Sequence, residues 1–248
     1  MPLPKIAAPT YTLELPSTGE EISYRPFLVK EEKVLVIALE SEDTKQITNA
    51  IKTVIKNCIL TKGIKVEALP TFDIEYLFLN IRGKSVGEEI EVNVICPDDE
   101  VTQVPVTIDL DDINVIKNDE HTNKIKLDEK LMMEMRYPSL DEFIKNNFDF
   151  KSENAMDQSF NLIASCINNI FSDEEVWAAE DCTKKEIKEF LEQMNSAQFK
   201  DIEKFFETMP KLSHKIKITN PKTKVESEVV LEGLASFCLL YTSPSPRD

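Results

Sequence analysis

Glu89-Ile-Glu-Val-Asn-Val-Ile-Cys-Pro-Asp-Asp-Glu-Val-Thr-Gln-Val-Pro-Val-Thr-Ile-Asp-Leu110 is the stretch whose reading decides the fold. Ile90, Val92 and Val94 alternate with Glu89, Glu91 and Asn93, and the alternation returns in Val104, Val106, Ile108 and Leu110. A period of two sends one set of side chains to a core and the other to water, which is the mark of a half-buried strand. Cys96-Pro-Asp-Asp99 breaks the run with turn chemistry, so the two halves form an antiparallel pair. Helical patterns lie on both sides of this pair, which makes the chain α+β.

Toward the N-terminus, Pro70-Thr71 opens a short helix with Ile74, Leu77, Phe78 and Ile81 on one stripe, ending near Gly83. Residues 44–60 place Ile47, Ile51, Val54 and Cys58 at helical spacing, opposite Lys52 and Lys56, with Gly63 as the terminator. The run Val34 to Leu39 has no clear period. Its length and the preceding Lys30-Glu-Glu-Lys33 favour a buried helix over a strand. Residues 10–28 read as a hairpin: Tyr11, Leu13 and Leu15 alternate with polar residues, Pro16-Ser-Thr-Gly19 turns the chain, and Ile22 and Tyr24 return.

Toward the C-terminus, residues 113–136 read as two strands around the polar turn 118–123, with Val115, Ile125, Leu127, Leu131 and Met133 as core positions. A short helix covers 138–146. A longer one starts near Ser152 with Met156, Phe160, Ile163, Ile167 and Ile170 on its apolar face. Thr183-Lys-Lys-Glu186 is a capping box ahead of Ile187, Phe190, Leu191 and Met194. Ser196 begins a helix with Phe199, Ile202, Phe206 and Met209 on one side, stopped by Pro210. Phe205 and Phe206 are adjacent and cannot share a face, so core burial competes with exposure of one ring at a contact. Ile216 and Ile218, the turn Asn220-Pro-Lys-Thr223, and Val225, Val229 and Leu231 make a closing hairpin that echoes the one at 90–110. The expected organisation is an α+β region at 1–136, then a mainly helical region at 138–237 closed by a β-hairpin. The boundary near Tyr137-Pro138 is soft, and a single body remains open.

Of the 248 residues, 42% are apolar and 30% charged, a globular balance. Five glycines are too few for a phosphate cradle. Forty-five acidic against 29 basic residues give a net charge of −16, which repels phosphate backbones and disfavours nucleic acid as a partner. No run approaches the length of a membrane span, and the first residues lack the apolar stretch of a signal peptide. Cys58, Cys96, Cys166, Cys182 and Cys238 are scattered and odd in number, which suits small buried thiols in a reducing compartment such as the cytosol.

Catalytic patterns are missing from the sequence: there is no G-x-S-x-G, H-E-x-x-H, Walker loop or dinucleotide fingerprint. His121 and His214 are far apart and read as surface or strand positions. The carboxylates at Asp98 to Glu100 and at Asp109, Asp111 and Asp112 sit at strand ends, where aspartate bonds local backbone. A metal-dependent hydrolase built on the second cluster is the weakest reading. Cys96-Pro97 resembles half of a zinc-ribbon knuckle, but Asp98, Asp99 and the second tip, Asn220 to Thr223, supply no further thiols. No catalytic residue, cofactor or metal is expected.

Four blocks carry a family resemblance: Tyr24-Arg-Pro-Phe-Leu-Val-Lys-Glu-Glu-Lys33 with Ala38 to Glu42, Leu69-Pro-Thr-Phe-Asp-Ile-Glu-Tyr-Leu-Phe-Leu79, Ile81-Arg-Gly-Lys-Ser-Val-Gly-Glu88, and Val230-Leu-Glu-Gly-Leu-Ala-Ser-Phe237. Together they resemble the baseplate hub subunits of T-even-type, contractile-tailed bacteriophages, over nearly all of residues 1–237. The resemblance implies a structural or assembly component of the tail baseplate hub, with a transient assembly chaperone as the alternative. It implies other hub and tail proteins as partners, the virion as destination and no catalytic residues. Arg25, Phe27, Phe72, Tyr76, Arg82, Leu234 and Phe237 are the candidate contact or packing residues. For the two arginines, guanidinium forks at an interface compete with surface salt bridges. Residues 238–248, ending in Ser-Pro-Ser-Pro-Arg-Asp, depart from the preceding pattern and resemble translated sequencing-adapter read-through.

Overall fold

A computed structural model describes residues 6–142 and 155–233. In chain order the elements begin with strands β1 (Tyr11–Glu14) and β2 (Glu21–Tyr24) and helices α1 (Val29–Glu40), α2 (Thr44–Cys58) and α3 (Thr71–Val86). Strands β3 (Glu89–Ile95), β4 (Gln103–Asp109), β5 (Asn114–Ile116), β6 (Lys124–Lys126) and β7 (Met132–Met135) follow. Then come α4 (Ala155–Cys166), β8 (Ile167–Phe171), β9 (Val176–Ala178), α5 (Lys184–Glu192), α6 (Ser196–Thr208), β10 (Lys211–Thr219) and β11 (Glu226–Glu232). The α+β class holds, and all the strand pairing is antiparallel.

Helix α3 lies between two cores. Ile74, Leu77, Phe78 and Ile81 pack with the β1–β2 hairpin and α2, and Leu79 and Tyr76 face the strands that follow. A helix apolar on two sides is one sandwiched between layers. It runs through Gly83 instead of ending there and stops at Gly87, whose φ of 136° suits glycine. The helix packs closely at Gly83: a Cβ there would lie 3.2 Å from Leu110 Cδ1, which would have to give way slightly.

The first core joins β1–β2, paired Leu13 to Ile22 and Tyr11 to Tyr24, to α2 and α3. Asp43 caps α2 by accepting from the Lys45 amide at 2.8 Å. The helix ends at Cys58, before Gly63, because Ile59 turns away to bridge Tyr24. Helix α1 forms where expected but is not buried as expected. It covers Ala38 and Leu35 against the core and leaves Val34, Val36 and Ile37 outside, because its apolar run winds round the whole helix while its packing partner is α2.

The second core is made by residues far apart in sequence. β3 and β4 pair in the register read from the sequence, Ile90 with Ile108 and Val92 with Val106. The closing hairpin, β10–β11, packs Leu212, Ile216 and Ile218 against them, and β10 takes β5 as its other neighbour. β5 therefore does not pair with β6, and residues 118–123 carry the chain from one sheet to another instead of turning a hairpin.

The third core holds the sheet β6-β7-β8-β9 and helices α4, α5 and α6. Ile167 and Ile170, expected on a helix, lie on β8 opposite Met135 and Met133. Pairing with β7 overrides the helical spacing, and both residues still reach the same core. The expected start near Ser152, and all but the first turn of the helix at 138–146, lie outside the described residues. The capping box is present: Glu186 accepts from the Thr183 amide at 2.7 Å, and Thr183 Oγ1 from the Glu186 amide at 3.3 Å. On α6 it is Phe205 that is fully buried beside Ile202, and Phe206 is partly covered.

Candidate docking surfaces

Arg25 follows β2 and turns inward. Its Nη2 lies 3.0 Å from Glu31 Oε1, and Nη1 donates to the Pro26 carbonyl at 2.8 Å. Glu31 Oε2 accepts from the Leu28 amide at 2.9 Å and so caps α1. Burial pushes the Glu31 carboxyl up, but the bonds from Arg25 and Leu28 outweigh it and hold the group below the usual range. Phe27 and Phe72 are buried, Tyr76 is half-buried against the second core, and Arg82 is half-buried on α3. Arg25, Phe27, Phe72 and Tyr76 thus make contacts within the chain, and residue identity alone does not separate a packed aromatic from a presented one. Leu234 and Phe237 lie outside the described residues.

His121 is no surface filler. Its ring stacks on Tyr137 at 5.6 Å and meets Phe205 at 5.2 Å, while Tyr137 meets Phe72 edge-on at 5.1 Å. This aromatic chain ties α3 to the third core. The Thr208 hydroxyl donates to the Lys204 carbonyl at 2.7 Å, so His121 Nδ1, 2.9 Å from Thr208 Oγ1, must be the donor there. His121 Nε2 then accepts from the Tyr137 hydroxyl at 3.0 Å. Burial holds the imidazole below its ordinary pKa.

The carboxylates of the weak hydrolase reading do not converge. Asp109 accepts from the Asp111 amide at 2.9 Å, closing the turn 110–112, and Asp99 accepts from the Thr102 amide at 2.9 Å. Among the described residues, no group of three or more histidine, cysteine or acidic side chains is placed to hold a metal ion. Burial pushes the Cys58 thiol up to about 11 and that of Cys166 to about 12, so both stay protonated and poorly nucleophilic at neutral pH.

Some of what the surface presents is apolar. Val29 is 80% exposed and Ile37 54%, and with Val34 and Val36 they share the outer side of α1 with Lys30, Lys33 and Glu40, away from the packed Leu35 and Ala38. On the edge strand β9, Val176 and Trp177 are also exposed. The sequence held a signal for the first of these: residues 34–39 carry more apolar side chains than one covered helix face can bury.

The family model described as T4 bacteriophage base plate protein matches residues 8–238. The chain belongs to that family. As a T4-type baseplate protein it has a structural place in the tail baseplate of the virion, in contact with other tail proteins. No curated protein and no solved structure matches the chain. No helix of the described residues is long and apolar enough to cross a membrane.

Proposed function

We propose that the chain is a subunit of the hub of a contractile tail's baseplate, working by docking and without catalysis. The observation that carries this is the two-sidedness of α1. One side packs on α2, and the other offers Val29, Val34, Val36 and Ile37 to a neighbour. Contiguous exposed apolar side chains on a folded protein mark interaction sites. The net charge of −16 favours a basic partner surface among the tail proteins and disfavours nucleic acid. Assembly takes place in the host cytoplasm, where the free Cys58, Cys96, Cys166 and Cys182 remain reduced.

Quantitative mass spectrometry of purified particles tests the retained role. Stoichiometric presence supports a hub subunit, and absence from particles, with capture of hub intermediates in infected cells, identifies an assembly chaperone instead. Recovery of no tail protein by the full chain in either setting defeats docking altogether.

A further inference from the structure

The two hairpin tips at residues 96–100 and 220–224 share one conformation. Each has proline second, Pro97 and Pro221, and each ends in a residue with left-handed backbone, Glu100 at φ 55° and Lys224 at φ 64°. In each the fifth amide donates to the first carbonyl at 2.9 Å: Glu100 to Cys96, and Lys224 to Asn220. Each tip is also closed at its base, Cys96 N–H to Thr102 at 2.8 Å and Asn220 N–H to Val225 at 2.9 Å. Side-chain oxygens gather the following amides. Asp99 accepts from Val101 and Thr102 at 3.1 and 2.9 Å, and Asn220 Oδ1 accepts from Lys222 at 2.9 Å.

Aligning the tips pairs Cys96 with Asn220 and Asp99 with Thr223, the first and fourth positions of each. That spacing, twice over, is the frame on which two close cysteine pairs hold a tetrahedral zinc ion. Here the frame carries a single thiol, and the tips are joined otherwise. Asp98 reaches across to accept from Asn220 Nδ2 at 3.0 and 3.1 Å and from the Thr223 hydroxyl. Cys96 and Asn220 are both about 1% exposed, so the base of the junction is buried, while Asp98 and Thr223 close it at the surface.

We propose that the paired tips are a metal-free two-knuckle brace, in which the Asp98 carboxylate bridges the knuckles where a tetrahedral ion would otherwise sit. The brace fixes the closing hairpin to β3–β4 across 122 residues of sequence, and so closes the loop of chain that holds the third core. The bonds from Thr223 and Asn220 also hold the Asp98 carboxyl below its usual range, so the bridge stays charged through the neutral pH range.

Cobalt(II) alone is the probe, added to the purified full-length chain and to a variant carrying Asp99→Cys, Asn220→Cys and Thr223→Cys, refolded with the metal present. The variant should bind a single cobalt ion with the visible bands of tetrahedral thiolate ligation and lose thermal stability on chelation. The unaltered chain, with all its native cysteines, should show none of these bands. Tetrahedral thiolate bands in the unaltered chain, or their absence in a variant whose circular dichroism is native, would overturn the proposal. Asp98→Ala gives an independent reading without metal. Amide exchange at Lys222 and Thr223 should accelerate at least tenfold, and unchanged exchange would refute the bridge.

Discussion

The Asp73 carboxylate accepts both hydrogen bonds that Ser17 can offer, from its amide at 3.0 Å and from its hydroxyl, and so pins the β1–β2 turn to the first turn of α3. Asp73 is fully buried, and burial raises its pKa above the ordinary 3.8, with the Ser17 bonds opposing in part. The folded chain thus holds this proton to higher pH than the unfolded chain. The contribution of Asp73 to stability is most favourable in acid and declines as pH rises past 3.8 through the folded pKa. Ser17→Ala should cost about 1.5–3 kcal/mol near neutrality, the range for a hydrogen bond to a charged group. Asp73→Asn should gain stability relative to the native chain as pH rises, as read by urea unfolding at several pH values. A difference that is flat with pH would contradict the raised pKa.

His121 should make the chain sensitive to mild acid. Its folded pKa lies below the ordinary 6.5, so the folded state takes up the proton later than the unfolded one. Stability is therefore fully present above pH 6.5 and falls as pH drops toward the folded pKa. Protonation also removes the lone pair on Nε2 that accepts from Tyr137. His121→Gln should flatten this part of the stability–pH curve, and an unchanged curve would exclude His121 as its source.

Arg25 and Glu31 should behave as a unit. Glu31→Gln or Arg25→Ala each should cost about 1.5–3 kcal/mol, while the double variant should cost less than the sum. The folded pKa of Glu31 is depressed, so its contribution is complete above the ordinary 4.5 and fades as pH falls through the folded value. Additive costs in a double-mutant cycle would argue against coupling.

Three apolar positions should separate packing from docking. Leu77→Ala, in the first core, should lose about 2–5 kcal/mol in chemical denaturation. Val29→Asp with Ile37→Lys should change stability by no more than about 0.5 kcal/mol each, because both side chains stand in water. That pair should nevertheless abolish capture of tail proteins from infected cells. Undiminished capture would remove the outer face of α1 from the docking surface.

The hairpins at 11–24 and 89–109 were legible because each pairs with its sequence neighbour and one face meets water, which leaves a clean period of two. The capping box at Thr183 was equally legible, since its bonds span three residues. Ile167 and Ile170 misled because their spacing fits a helix, and β7 decided otherwise. Among the site residues, Phe27 and Phe72 were visible as aromatic blocks, yet burial is a property of what surrounds a ring and not of its identity.

The amino-acid order by itself determined the α+β class, most strands and helices, the caps and the family, because these rest on periodicity and on bonds between near neighbours. Only the tertiary structure decided that β10 joins β5, that Asp98 meets Asn220, and that α1 shows Val29 and Ile37 to solvent. Those relations depend on which surfaces meet after long loops close, and no local pattern encodes the partner of a distant strand.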